Sequence, residues 1–205
     1  MKKIALIVAL LFTTATVNNI SAQSLQSLFE GLTKMFTEPA ASEPETPKVV
    51  YPTAKEITGR WSYQQLALEY TGNSTIASLA VSSAATQLST LANKFGLVAG
   101  KDYVKVKNDG TMLFISSDRK VEAKYTYVEP TGQLIVTMNK DGKNLTFTGS
   151  LSKVDGNLKI MFKASEMIAK AELVSSKMKD NSTFAILKEL IGSYPGIIGG
   201  AIFSK

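Results

Sequence analysis

The chain has 205 residues and a formal net charge of +6, with 44% hydrophobic and 20% charged residues. That balance is typical of a folded globular protein and excludes a chain that is disordered over most of its length. The sequence contains no histidine and no cysteine, which excludes disulfides, histidine-based catalytic triads and the usual zinc, copper and haem ligands. We therefore expect no metal, no other cofactor and no enzyme activity.

The positive charge is spread along the whole chain. Of the 23 basic residues only Arg60 and Arg119 are arginines, and the lysines form no block. Proteins that bind nucleic acids usually concentrate their basic side chains on one face, often between aromatic rings. We therefore interpret the lysines as a solvated surface and expect no nucleic-acid partner.

Residues 1–22 have the three parts of a secretory signal peptide. Lys2 and Lys3 form a positive start, an uncharged apolar run covers 4–12, and Ala22 offers a small residue for cleavage. Since the chain has no cysteine, a lipid anchor at the cleavage site is excluded. We expect a periplasmic or secreted protein.

Two further segments precede the expected domain. Apolar residues at helical spacing predict an amphipathic helix over 23–36. Its apolar stripe consists of Leu25, Leu28, Phe29, Leu32, Met35 and Phe36. The first four of these would dock on the domain itself, on an envelope protein or on a membrane surface. Residues 37–55 hold four of the six prolines and predict an extended linker, so the compact domain is expected over 56–205.

The first predicted strand opens with Gly59-Arg60-Trp61, which holds the only tryptophan of the chain. Polar and apolar residues then alternate as far as Tyr70, which is the period of a half-buried strand. A glycine before a large ring at the start of a strand suggests close backbone approach beside that ring. After a turn, apolar residues at helical spacing predict a helix over 75–95.

From residue 102 onward the hydrophobic period changes to two. Asp-Gly steps recur at 109–110, 141–142 and 155–156, and an Asp-Gly step between alternating runs is a strong hairpin signal. The pattern predicts strands over 102–107, 111–116, 120–128, 132–139, 143–152 and 157–163. Successive hairpins indicate an antiparallel meander, which tends to close on itself because closure removes exposed edges.

The C-terminal part of the chain is predicted to be helical. Apolar faces predict helices over 165–179 and 183–192. The tail 193–205 is apolar and rich in glycine and carries no predicted element. The expected fold is mainly β: an antiparallel barrel of about 7–8 strands, a helical insertion after the first strand, and two C-terminal helices.

These features together resemble the lipocalin and lipocalin-like barrels, whose first strand carries a Gly-x-Trp motif at the closed end. More narrowly, residues 55–205 are similar to a family of exported lipocalin-like proteins of gut Bacteroidetes, a domain of unknown function. The resemblance implies a lipocalin-like barrel with Gly59 and Trp61 as its closing motif. It also implies a basic side chain over the tryptophan ring, for which Lys159 and Lys163 are the candidates.

The residues expected to face the barrel interior are aromatic and aliphatic. They are Trp61, Tyr63, Phe114, Tyr125, Tyr127, Val136, Phe147, Ile160 and Phe162. A small barrel is either filled by such side chains or just wide enough for one ligand. The predicted ligand-binding residues are Tyr63, Tyr125, Tyr127, Phe147 and Phe162. Among them Tyr125 and Tyr127 stand out, because a buried phenol needs a hydrogen-bond partner that a ligand could supply.

Two functions are compatible with this sequence. The first is a non-enzymatic exported protein that binds a small apolar ligand in its barrel. The second is a filled barrel that acts as an envelope interaction module and engages a protein or membrane partner through the 23–36 helix. A cavity continuous with solvent would favour the first function, and a solid interior with an exposed apolar stripe would favour the second.

Overall fold

A closed barrel of eight antiparallel strands forms the centre of the computed structural model. The structure describes residues 49–74, 77–78, 81, 97–116, 119–140, 142–174, 188 and 191–205. The strands are β1 (Gly59–Tyr70), β2 (Tyr103–Val106), β3 (Thr111–Ser116), β4 (Arg119–Val128), β5 (Gln133–Lys140), β6 (Lys143–Val154), β7 (Asn157–Lys163) and β8 (Ile197–Ser204). Each strand pairs with the next one along the chain, and β8 pairs with β1 to close the barrel.

Residues 49–57, here called the strap, are attached to the barrel beside the start of β1. Val50 forms an isolated antiparallel β-bridge with Lys153. The carbonyl oxygen of Pro52 accepts a hydrogen bond from the hydroxyl of Tyr127 at 2.7 Å. Because both contacts join residues far apart in the sequence, they fix the strap to the barrel wall.

The strap ends in a short helix, α1 (Ala54–Ile57), whose start is capped by Thr53 through a reciprocal capping box with Glu56. The side chain of Ile57 is fully buried. Part of the predicted linker, residues 50–52, therefore contacts the barrel wall. The predicted signal peptide, the 23–36 helix and the earlier part of the linker lie outside the described residues.

The predicted meander is confirmed from β2 to β7, with strand bounds that differ from the predicted ones by at most two residues. The glycines of the three Asp-Gly steps, Gly110, Gly142 and Gly156, have φ values of +75°, +79° and +79°. Glycine adopts such angles without steric cost. The local turn chemistry therefore suffices to place these hairpins.

The structure corrects the order of the last elements. The tail, for which no element was predicted, forms β8, so a strand follows the predicted C-terminal helices. Helix α2 (Ala164–Val174) begins where the first C-terminal helix was predicted. The rest of that helix and most of the predicted 75–95 and 183–192 helices lie outside the described residues. Of the described helices, none is both long and apolar enough to cross a membrane.

Alternate positions of the strands supply the barrel core, as the period-two pattern predicts. All nine residues expected to face inward belong to the core cluster or pack against it. Val104, Leu134, Val136 and Phe147 have no exposed surface at all, so no water-sized space adjoins them. Burial of apolar surface stabilises by about 25 cal/mol per Å², and without disulfides this burial carries most of the stability.

Candidate functional site

Trp61 seals the end of the barrel at which the strap lies. Its indole Nε1 donates a hydrogen bond to the carbonyl oxygen of Ile57 at 2.7 Å, and only 2% of the residue is exposed. The ammonium group of Lys205 lies 4.8 Å from the ring centroid, within the range of a cation–π interaction. The basic side chain over the tryptophan ring is therefore that of Lys205. The assignment of this role to Lys159 or Lys163 is wrong, because β8 carries the chain end back to the tryptophan.

Gly59 serves this motif through its backbone angle. A Cβ atom built at Gly59 would meet nothing within 4 Å, but its φ is +127°. L side chains rarely adopt that conformation, whereas glycine does so readily. The expected close backbone approach at Gly59 is therefore wrong, and the residue is needed for the turn that leads from α1 into β1.

The two inward tyrosines of β4 have hydrogen-bond partners within the chain. The hydroxyl of Tyr125 donates to the carbonyl oxygen of Lys107 at 2.8 Å, and that of Tyr127 donates to Pro52 at 2.7 Å. These carbonyl groups accept the hydrogen bonds that a ligand was expected to accept. The two phenols fasten the β2–β3 turn and the strap to the barrel wall, and ligand contact at either tyrosine stays a prediction.

Phe147 and Phe162 contact each other in the core. Their rings lie edge to face, with centroids 6.0 Å apart and an interplanar angle of 66°. The ammonium group of Lys170, which belongs to α2, lies 4.7 Å from the ring centroid of Phe147. Both rings therefore have packing partners within the described protein, and ligand contact at these residues also stays a prediction.

Tyr63 lies elsewhere, beside the segment that leads into β2. Its ring is 3% exposed and packs edge to face on Phe203 with a centroid distance of 6.2 Å. The backbone nitrogen of Tyr63 donates to the carbonyl oxygen of Asp102, and its own carbonyl oxygen accepts from Gly100, both at 2.8 Å. The structure thus distributes the five predicted ligand residues over three places.

Tyr63 lines a small cavity, here called the recess, where β2 begins and β3 ends. The lining residues are Tyr63, Leu97, Asp102, Tyr103, Phe114, Ile115, Ser116 and Phe203. The recess has about 10 Å³ of room for the centre of a water-sized sphere. That is the space needed for about one water molecule, so the recess admits one small group and not a whole organic ligand.

Asp102 places a carboxyl group in the wall of the recess. The residue is 4% exposed, and its Oδ2 accepts a hydrogen bond from the backbone nitrogen of Val98 at 2.8 Å. Its Oδ1 is buried and has no hydrogen-bond partner among the described residues. An unpaired buried acceptor costs about 1–3 kcal/mol, and more when it is charged. Asp102 is thus a buried acid with one unpaired oxygen, and it belongs to the lining of the recess.

Asp102 and Phe203 line the recess but were not predicted as site residues. Asp102 is the first residue of the predicted strand 102–107, a position where an acid usually forms a turn and faces water. Its turn bond to Val98 is observed, but its burial depends on rings from three other strands. Phe203 lies in the tail for which no strand was predicted. No local signal in the sequence reveals either residue as part of a cavity.

Burial of tyrosines makes the stability of this protein sensitive to alkaline pH. Burial raises the pKa of Tyr63 to about 12, and burial together with the charges of Glu129 and Glu56 raises the pKa of Tyr127 to about 12. The unfolded chain loses these protons near pH 10, the ordinary tyrosine pKa. The unfolded state then binds fewer protons than the folded state, so stability is complete below about pH 10 and falls as the pH rises toward 12.

We expect the substitution Tyr63→Phe to weaken this alkaline loss of stability. The urea midpoint of each protein is measured from about pH 9 to pH 11, and the change with pH is compared between wild type and variant. Lysines titrate in the same range but are common to both proteins. An equally steep decline in the variant would contradict the assignment to Tyr63.

The described acidic residues do not form a metal centre. No group of three or more potential metal-binding side chains occurs in the described part of the chain.

Outside the barrel wall, the guanidinium carbon of Arg60 lies 3.8 Å from the ring centroid of Tyr103. Arg60 thus places a positive charge beside Tyr103, which lines the recess, and Asp102 is the acid in the same lining.

The eight-stranded closed barrel, sealed at one end by a glycine and a tryptophan at the start of β1, defines a lipocalin-like protein. The family model described as Lipocalin-like domain (DUF4923) matches residues 32–205. The chain therefore belongs to this family, and the expected lipocalin-like fold is confirmed. No curated protein and no solved structure gives a significant match to the chain.

Proposed function

We propose that this protein is a non-enzymatic binder of a small, largely apolar ligand, which it holds at the recess. One observation carries the proposal: Asp102, whose Oδ1 is buried without a partner in the described protein, is one of the residues that line an aromatic-walled cavity. Binding sites combine apolar walls with a few well-placed polar groups. The recess has both features, whereas the phenols of β4 have their hydrogen-bond partners within the chain.

The size of the recess determines how such a ligand would sit. One group of about the size of a water molecule enters the cavity. The body of the ligand then lies outside it, against apolar surface such as Val98, which is 39% exposed. This arrangement differs from the ligand inside the barrel that was expected from the sequence, because several core side chains leave no adjoining space.

The non-enzymatic part of the proposal rests on the residue types present. The sequence has no histidine or cysteine, so the most frequent general base of enzymes and the thiol nucleophile are missing. Asp102 is the acid that lines the recess, and general acid–base chemistry with carboxylates usually needs a second group facing the same substrate.

The proposal is tested by purifying the chain from its native source without detergent and extracting it with organic solvent. Mass spectrometry of the extract is expected to find one small molecule in stoichiometric amount. The variant Ser116→Leu, which adds bulk to the wall of the recess, is expected to lose it. Thr126→Leu makes the same change at an exposed position of β4 and should keep it. An empty wild-type protein would refute the proposal.

A second candidate function is the envelope interaction module. It is favoured by the exposed apolar residues of the strap: Val49, Val50 and Tyr51 are 52%, 50% and 46% exposed. Residues 37–48 join the strap to the proposed 23–36 helix, whose contact residues are Leu25, Leu28, Phe29 and Leu32. In this alternative a protein or membrane partner covers both surfaces. Vesicle co-sedimentation that Leu28→Asp/Phe29→Asp abolishes would support it.

Export is part of the same proposal. The charged start, the apolar run and the small residue at position 22 support cleavage of a signal peptide. The protein would then be periplasmic or secreted, as in the gut Bacteroidetes family that the sequence resembles. The intact mass of the protein from its native source tests this, since cleavage predicts a mature chain that begins at Gln23. A full-length mass would contradict export by this route.

A further inference from the structure

We propose that the ligand presents a protonated amine to Asp102. This inference rests on the proposed function and specifies its chemistry. The inference starts from the burial of Asp102, of which only 4% is exposed. One oxygen, Oδ2, is held by the backbone of Val98 at 2.8 Å, and the other, Oδ1, has no partner in the described part of the protein. Asp102 belongs to the lining of the recess, so a hydrogen-bond donor held there would pair with this carboxyl group.

The charge at this position favours a cationic donor over a neutral one. No ion pair joins Asp102 to a lysine or arginine among the described residues. Arg60, on the outer face, contacts the ring of Tyr103. A buried acid without a positive partner is costly, and a hydrogen bond between two charged groups is stronger than a neutral one. A ligand cation would remove this cost on binding.

The walls of the recess favour the same charge. Tyr63, Phe114 and Phe203 contribute aromatic rings to the lining, and the face of an aromatic ring attracts cations electrostatically. An anion would meet both the carboxylate and these rings, and would be repelled by the first. The recess is therefore selective for positive charge even though the whole chain is basic.

The volume of the recess fits an ammonium group. About 10 Å³ of room accommodates one water-sized group, and a primary ammonium group is of that size. A bulky quaternary ammonium group would not fit. The apolar body would extend out of the recess toward solvent, so we expect a small primary amine with an apolar or aromatic body.

The test compares three probes of similar shape and different charge. Phenethylamine, phenethyl alcohol and hydrocinnamate are titrated into the full chain at neutral pH, and binding is followed by ligand-observed NMR. We expect phenethylamine to bind with a dissociation constant of about 1 mM or below. The alcohol and the carboxylate should bind at least about 10-fold more weakly, the loss expected for a hydrogen bond to a charged group.

Two variants assign the preference to the acid. Asp102→Asn keeps an oxygen for the Val98 bond and removes the charge, so it should lose the preference for the amine. Its melting temperature should stay within about 4 °C of wild type. The control variant Asp155→Asn removes the same charge from an exposed turn residue. Asparagine tolerates the φ of +51° at this position, so the control should keep the preference for the amine.

The outcomes separate this inference from the proposed function. Equal binding of amine and alcohol, a preference that survives in Asp102→Asn, or no phenethylamine binding at about 1 mM overturns the amine. If a neutral lipid then co-purifies with the native protein, the proposed function stands without it. An empty protein that binds no probe overturns both. Should Asp102→Asn fail to fold, the preference of the wild type among the three probes still decides.

Discussion

Replacing Gly200 with alanine is expected to destabilise the barrel by about 3 kcal/mol or more, the upper end of the usual cost of overpacking. Gly200 lies in β8 opposite Met161 of β7. A Cβ atom at this position would overlap the carbonyl oxygen of Ile160 and lie 2.8 Å from the Cα atom of Met161. These are backbone atoms of a paired strand, so no change of rotamer can relieve the contact.

The matched control for this prediction is Gly192→Ala. Gly192 is exposed and helical, and a Cβ atom there would meet nothing within 4 Å. Alanine is favoured over glycine in helices by about 1 kcal/mol, so the control should be neutral or slightly stabilising. Urea unfolding of both variants measures the difference. A Gly200→Ala protein as stable as wild type would show that β7 and β8 do not approach each other so closely.

The same glycine explains why β8 could not be predicted from the sequence. Glycine weakens a strand because it has no side chain to pack and loses much entropy on folding. Two successive glycines, Gly199 and Gly200, therefore remove the strand signal from the tail. In the folded protein one of them is required by close contact with β7, a contact about forty residues away along the chain. Local propensity contains no information about that contact.

The hairpins between β2 and β7 could be predicted for the opposite reason. Three of their turns are determined by neighbouring residues, since an Asp-Gly step needs only a glycine that accepts positive φ. Their strands alternate because one face is buried, and that pattern is visible within each strand. The Gly-x-Trp motif of the closed end could also be recognised from the sequence. The lysine over its ring could not, because Lys205 is placed beside Trp61 by β8, which was not predicted.

The candidate site was predictable only in part. Aromatic side chains on alternate positions were correctly expected to face inward, which follows from the strand period alone. The partners of their polar atoms were beyond the sequence: Tyr127 bonds to Pro52 across a separation of 75 residues. Asp102 was missed because its burial depends on Tyr63, Phe114 and Phe203, which belong to three different strands.

The second large loss of stability is expected at Trp61, at the end of the barrel where the strap lies. Truncation of Trp61 to alanine is expected to lower the free energy of unfolding by about 3–5 kcal/mol, the usual cost of deleting a large buried aromatic side chain. The indole is 2% exposed and lies in the core with the fully buried Ile57. Its removal leaves a cavity and frees the Ile57 carbonyl oxygen that now accepts the Nε1 bond at 2.7 Å.

Two further variants divide this effect into its parts. Trp61→Phe keeps an aromatic ring but loses the bond to Ile57, so it should fall between wild type and Trp61→Ala. Lys205→Met removes the charge 4.8 Å from the ring centroid and should cost about 1 kcal/mol or less, as for an exposed cation–π pair. If Lys205→Met cost as much as Trp61→Ala, the charge and not the buried ring would be closing the barrel. The expected order instead makes burial of the indole between the strap and β8 the interaction that holds this end shut.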